Sequence, residues 1–82
     1  MVVRIDPCLE TLRRLIAAGD TNSIPLAEKA IAEYWEGTPP RARKSGLLYM
    51  RQILHEQRDA LSRESRDVAD RVDAYVEQML AS

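Results

Sequence analysis

From Leu47 to the end of the chain at Ser82, the sequence contains neither glycine nor proline. These two residues interrupt helices most strongly, so a stretch of this length without them favours helix throughout. At about 100° per residue, eight apolar side chains of this stretch fall on one stripe roughly 80° wide. They are Leu47, Met50, Leu54, Leu61, Val68, Val72, Tyr75 and Met79. We therefore predict an amphipathic helix over 47–82, with this stripe as its buried or partner-binding face.

The polar middle of this stretch leaves a second architecture open. Gln57, Glu64 and Ser65 interrupt the stripe, and Ser62 could cap a new helix. One uninterrupted helix of about 35 residues would be roughly 50 Å long, more than a short hairpin can cover. A break near residues 58–65 would instead let the chain close into a small four-helix bundle, which would weaken the need for a partner.

The first 37 residues show the pattern of a helical hairpin. Asp6 and Pro7 are typical of a helix start, and Gly19 is typical of a helix end. A second helix is predicted from about Ser23, with Pro25 in its first turn, and its apolar stripe is Leu26, Ala27, Ala30, Ile31 and Tyr34. The break from Gly37 to Pro40 ends it. We predict one all-α domain over 1–82, with a hairpin (1–37), a linker (38–46) and a long helix or helix pair (47–82).

Charge is unevenly distributed along a chain whose net charge is −1. Residues 41–58 carry five basic side chains and one acidic side chain, whereas both flanking regions are acidic. Arg41, Arg43 and Lys44 are candidate phosphate contacts. No aromatic residues are interleaved with them for stacking on bases, so a solvated mixed-charge face is the favoured interpretation.

Three aspartates recur at every third position in the last quarter of the chain. Asp67, Asp70 and Asp73 lie near Arg66 and Arg71, which could pair with them along one helix. We expect a solvated, charge-laced helix face here, and the alternative is an acidic strip that docks on a basic partner.

Catalytic and metal-binding constellations are not evident in the sequence. The chain has one histidine, His55, and one cysteine, Cys8, far apart in the sequence, so neither a nucleophile–base pair nor a metal-ligand set is predicted. We expect no enzyme activity and no cofactor. His55 is expected at the surface and Cys8 as a small buried side chain, although the first turn of a helix would lower its pKa somewhat.

Cysteine content and hydropathy bear on the cellular location. A single cysteine cannot form an internal disulfide, which fits a reducing compartment. The start of the chain lacks the apolar region of a signal peptide, and its apolar runs are too short to cross a membrane. A cytoplasmic location is therefore expected.

Residues 4–37 resemble a ribbon-helix-helix domain, the small dimeric DNA-binding fold of bacterial repressors and antitoxins. The resemblance rests on Arg4-Ile5-Asp6-Pro7, on the leucines at 9, 12 and 15, and on the run from Leu26 to Tyr34. It implies a short strand over residues 2–5, with Arg4 facing the bases in the major groove. It also implies that the C-terminal half would embrace a toxin.

Taken together, these features favour a binding protein over an enzyme. The first expectation is a helical interaction module that acts as a regulator, inhibitor or adaptor, of the kind that bacteria, phages or plasmids encode. It would bind a protein partner or a second copy through the stripe, with Trp35 either packed on the long helix or exposed as an interface anchor. The alternative is a ribbon-helix-helix repressor or antitoxin.

Overall fold

The computed structural model describes residues 5–81, and they form four α-helices. These are α1 (Ile5–Ala18), α2 (Ile24–Gly37), α3 (Pro40–Gln57) and α4 (Arg63–Ala81), with 3-10 turns at Thr21–Ser23 and Arg58–Ala60. No strand occurs within residues 5–81, so the all-α prediction is confirmed. The bundle measures 36 × 21 × 20 Å, which is too short to contain a single 35-residue helix.

A break between α3 and α4 decides the architecture of the second half. Leu61 adopts an extended conformation, with φ −85° and ψ 153°. Ser62 then caps α4, because its Oγ accepts a hydrogen bond of 3.2 Å from the Ser65 N–H. The expectation of one continuous helix over 47–82 is therefore wrong, and the alternative of a break near residues 58–65 is confirmed.

The α1–α2 hairpin is confirmed, with its turn after Gly19 and its end at Gly37 as predicted, although α1 begins at Ile5 and so includes Asp6, the predicted N-cap. Gly19 follows α1 with a φ of +64°, a left-handed conformation that glycine adopts without a steric penalty. The Asp20 carboxylate then accepts a hydrogen bond from the Asn22 N–H at 2.9 Å and starts the connecting turn. The Cys8 Sγ lies 3.7 Å from the Ala30 carbonyl oxygen, so α1 packs alongside α2.

The linker is shorter than the predicted range of 38–46, because α3 already begins at Pro40. A proline at the first helical position has a suitable φ and no N–H to leave unpaired, which explains the early start. Gly46 lies inside α3 and is buried, and the Tyr34 hydroxyl group occupies the space that a Cβ at this position would take. Glycine at position 46 therefore leaves room for the end of the Tyr34 side chain against α3.

The hydrophobic core runs through the middle of the bundle, where α1 and α4 each pack against the other three helices. Its largest fully buried side chains are Leu12, Ile31, Leu47, Met50, Val68 and Val72. Leu26, which the periodicity places on the buried stripe of α2, is 56% exposed. Ala27 and Ile31 supply the buried face of that helix instead, and Leu26 lies beside this face.

Candidate functional site

Four residues of the predicted partner-binding stripe lie inside the chain's own core. Leu47, Met50, Val68 and Val72 are each at most 2% exposed. The prediction that they contact a partner is therefore wrong for this folded state. The break after α3 turns α4 back onto the bundle, so both halves of the stripe contribute to one core that all four helices share.

The other four residues of the stripe are partly buried, and so is Trp35, which was also predicted to bind a partner. Tyr75 and Met79 on α4, and Trp35 on α2, pack against the core, as do Leu54 and Leu61. Leu54 and Leu61 also line an open groove, and they are the members of the set that we assign to a candidate binding surface.

This α1–α3 groove runs between the end of α1 and the end of α3 and has a volume of about 320 Å³. Its lining consists of Arg13, Ile16 and Ala17 from α1, Leu54 and Gln57 from α3, and Leu61 after the 3-10 turn. Four of these six side chains are apolar, and Arg13 and Gln57 supply the polar groups. A concave apolar lining with few polar groups is the usual form of a binding site.

A row of ion pairs connects α3 to α4; we call it the charged seam. Arg51 contacts Asp73, with Nε 2.7 Å from Oδ1, and also contacts Glu77. His55 Nε2 lies 3.2 Å from Asp73 Oδ1, and Arg58 Nε lies 2.9 Å from Asp70 Oδ1. The partners on α4 descend in number as those on α3 rise, so the two helices run antiparallel.

The strongest pairs of the seam are bidentate. Both Arg51 and Arg58 use two guanidinium nitrogens on one carboxylate. The hydrogen bond to Asp73 raises the pKa of Arg51 above its ordinary value. The hydrogen bond to Arg58 lowers the pKa of Asp70 below its ordinary value.

The charged seam joins α3 to α4, and we do not assign it as a ligand site. Asp70 and Asp73 are already occupied by cations of α3, so the aspartates do not pair with Arg66 and Arg71 as the sequence suggested. The cavity beneath the seam has a volume of about 20 Å³, with Leu54, Val72 and Val76 in its lining. That is room for about one water molecule.

The basic residues at the start of α3 divide into two groups. Arg41 and Lys44 are exposed. Arg43 instead contacts residues of its own chain. Its Nε donates a hydrogen bond to the Thr38 carbonyl oxygen at 2.9 Å, and its guanidinium lies 5.4 Å from the centre of the Trp35 ring. Trp35 is therefore packed against the bundle and is not an exposed interface anchor. The sequence had favoured packing on the long helix over 47–82.

The predicted DNA-reading strand falls mostly outside the described residues. Arg4, its base-contacting candidate, lies there together with Val2 and Val3. Ile5, the last residue of that predicted strand, is the first residue of α1.

Cys8 is buried, as expected for a small core side chain. Burial raises the pKa of its thiol to about 11, and the charge of Glu33 adds to this effect. The expected lowering by the helix terminus is therefore outweighed by desolvation. His55 is exposed, as predicted, and within residues 5–81 no group of three or more His, Cys, Asp or Glu side chains could hold a metal ion.

Sequence reasoning missed Arg13 and Gln57 of the groove, as well as two exposed apolar residues of α3. Leu48 and Tyr49 are 52% and 53% exposed. Arg13 and Gln57 are ordinary polar helix residues, and no local signal in the sequence could have placed them together across 44 positions.

The chain matches no protein-family model, no curated protein and no solved structure. Among the helices described over residues 5–81, none combines the length and apolar character needed to cross a membrane.

Proposed function

We propose that this chain is a small non-enzymatic interaction module that binds a protein partner through the α1–α3 groove. Its action would be that of a regulator, inhibitor or adaptor, by covering a segment of the partner or by holding it in place. The observation that carries the proposal is the groove itself, an open apolar concavity between two packed helices.

The groove is of a suitable size and character to receive side chains from another protein. Its volume of about 320 Å³ lies at the lower end of the range of roughly 300–1,000 Å³ for ligand pockets. That accommodates one or two apolar side chains rather than a whole helix. Leu54 and Leu61 also pack against the hydrophobic core, so the bundle keeps this part of the groove in position.

Site-specific crosslinking tests the proposal. A photoreactive residue is placed at Gln57, which is exposed at the groove, and lysate of the source organism is irradiated with the purified protein. Ala17→Arg fills the groove from an exposed position of α1, and Ala18→Arg adds the same side chain one residue away, outside the lining. We expect a discrete crosslinked product that is lost in Ala17→Arg and retained in Ala18→Arg.

Two results would overturn the proposal. One is a crosslinked product that persists unchanged in Ala17→Arg, because the partner would then bind elsewhere. The other is a product of twice the chain's own mass and no larger, because the groove would then be a contact between two copies. Circular dichroism of both variants checks that the fold is retained.

DNA binding by a ribbon-helix-helix dimer is the alternative. It is supported by Arg41 and Lys44, which are exposed and have no ion pair within residues 5–81. It requires a dimer and a salt-dependent shift of duplex DNA that is lost in Arg4→Ala.

A further inference from the structure

We infer that an acidic amphipathic helix of another protein binds over the groove, with one large apolar side chain inside the groove and a carboxylate paired with Arg13. This inference rests on the proposed function and specifies the chemistry of the partner. It is built from the charge of the groove, its backbone environment and the exposed residues of the chain itself.

The charge of the groove favours an acidic partner. Arg13 lies at the groove, is exposed, and has no ion pair within residues 5–81. By contrast, Arg51 and Arg58 are held by carboxylates of α4. None of the six described residues lining the groove is acidic, so a carboxylate of the partner gains an ion pair while a cation meets Arg13 unfavourably.

The all-helical surface around the groove favours a helical partner. Residues 5–81 offer no sheet edge, so an extended segment could not gain main-chain hydrogen bonds by strand addition. A helix satisfies its own backbone groups and presents only side chains to the groove. On one helix face, side chains three or four positions apart are neighbours. The carboxylate is therefore expected three or four residues from the apolar anchor.

The exposed apolar residues of this chain do not match what the groove would bind in a second copy. The exposed large apolar residues of the described chain are Leu26, Leu48 and Tyr49. At the positions three and four residues before and after each of them, the sequence has no Asp or Glu. A second copy therefore does not present the required pair on these side chains, and we assign the groove to a different protein.

A peptide-display experiment tests the inference directly. The probe is a library of 16-residue helical peptides with randomised surface positions, selected on the full chain and counter-selected on Ala17→Arg. We expect the enriched peptides to carry Leu, Ile, Met or Phe, with Asp or Glu three or four positions away.

Charge reversal then identifies the ion pair. Arg13→Glu is expected to weaken binding of the selected peptides by about fivefold to tenfold, because the ion pair is lost and two carboxylates then face each other. Replacing the peptide carboxylate by Lys should restore their binding to Arg13→Glu. The control is Arg14→Glu, because Arg14 is exposed on the same helix turn but contacts Glu10 at 4.0 Å and does not line the groove.

The outcomes separate the inference from the proposed function. Peptides that bind the groove without an acidic preference, or that bind Arg13→Glu and Arg14→Glu equally well, overturn the acidic-helix inference and leave groove binding intact. If no peptide discriminates the native chain from Ala17→Arg, groove binding is overturned as well.

Discussion

At the scale of single residues, Cys8 shows how burial outweighs a local effect. Its thiol lies in the first turn of α1, where the helix dipole favours the thiolate, yet its pKa is raised to about 11 by burial. The charge of Glu33 acts in the same direction. The thiol is therefore protonated at neutral pH and serves as a small core side chain.

This raised pKa predicts a loss of stability in base. In the unfolded chain the thiol ionises near its ordinary pKa of 9.0, whereas in the folded chain it keeps its proton until about 11. The contribution of the protonated thiol to the free energy of unfolding is thus complete below pH 9. It is lost as pH rises from 9 through 11, by roughly 2–3 kcal/mol in all. Urea unfolding between pH 8 and 11 measures it.

Cys8→Ala is the control, because it removes the thiol while the other groups that titrate in base remain. The difference between the native chain and Cys8→Ala should shrink as pH rises from 9 to 11. Parallel pH curves for the two proteins would contradict the assignment of a buried, protonated thiol.

At the scale of elements, the turn between α3 and α4 depends on the N-cap residue Ser62. The sequence indicates Ser62 as a possible cap but does not decide between a new helix there and one continuous helix. Ser62 Oγ accepts the hydrogen bond of the Ser65 N–H, and the Ser62 carbonyl oxygen accepts that of Arg66 at 2.9 Å. Both bonds start α4 in its new direction, which brings Val68 and Val72 into the core.

Ser62→Ala is expected to destabilise the fold by about 1 kcal/mol, because the capping acceptor is lost while the N–H of Ser65 stays partly buried. Ser45→Ala is a matched control, since the Ser45 hydroxyl bonds only the Ala42 carbonyl oxygen on the exposed side of α3. Thermal unfolding followed by circular dichroism compares the two. An equal change in Tm for both variants would show that the Ser62 cap contributes nothing specific.

Helix boundaries were predictable where a single residue type, such as glycine or proline, sets the boundary. They were not predictable where the packing of the whole fold sets it. Gly19 and Pro25 mark their boundaries in the sequence because each has a special backbone requirement. Residues 58–62 contain neither Gly nor Pro, so local preference does not forbid a continuous helix there. The break is favoured because α4, once turned back, buries apolar side chains that a straight helix would leave exposed.

The same reasoning explains what was predictable of the candidate site. The periodicity correctly grouped Leu54 with Leu61 as partners on one surface. It could not show that Leu47 and Val68 would both be buried in the chain's own core, because this depends on the direction of α4 after the break. Arg13 belongs to the other hairpin, and only the packing of α1 against α3 places it at the groove.

At the scale of the whole molecule, the charged seam joins the two helices of the second hairpin. Four contacts hold α3 and α4 in one register, and Asp73 is the shared acceptor for Arg51 and His55. The side chains of Arg51 and Asp73 are only 28% and 24% exposed, so water and salt screen this pair less than a pair at the open surface.

The position of Asp73 predicts that Asp73→Asn weakens the whole fold, because the amide lacks the charge that Arg51 and His55 bind. We expect a loss of about 1 kcal/mol, within the range for hydrogen bonds to charged groups of partial exposure. Asp67→Asn is the matched control, since Asp67 is exposed on the same helix and has no ion pair within residues 5–81. Urea unfolding at neutral pH, in dilute buffer and again in about 1 M NaCl, where the Debye length falls to roughly 3 Å, should show the larger loss for Asp73→Asn in both. Equal losses in the two variants would mean that helix packing alone sets the register of α3 and α4, without a contribution from the seam.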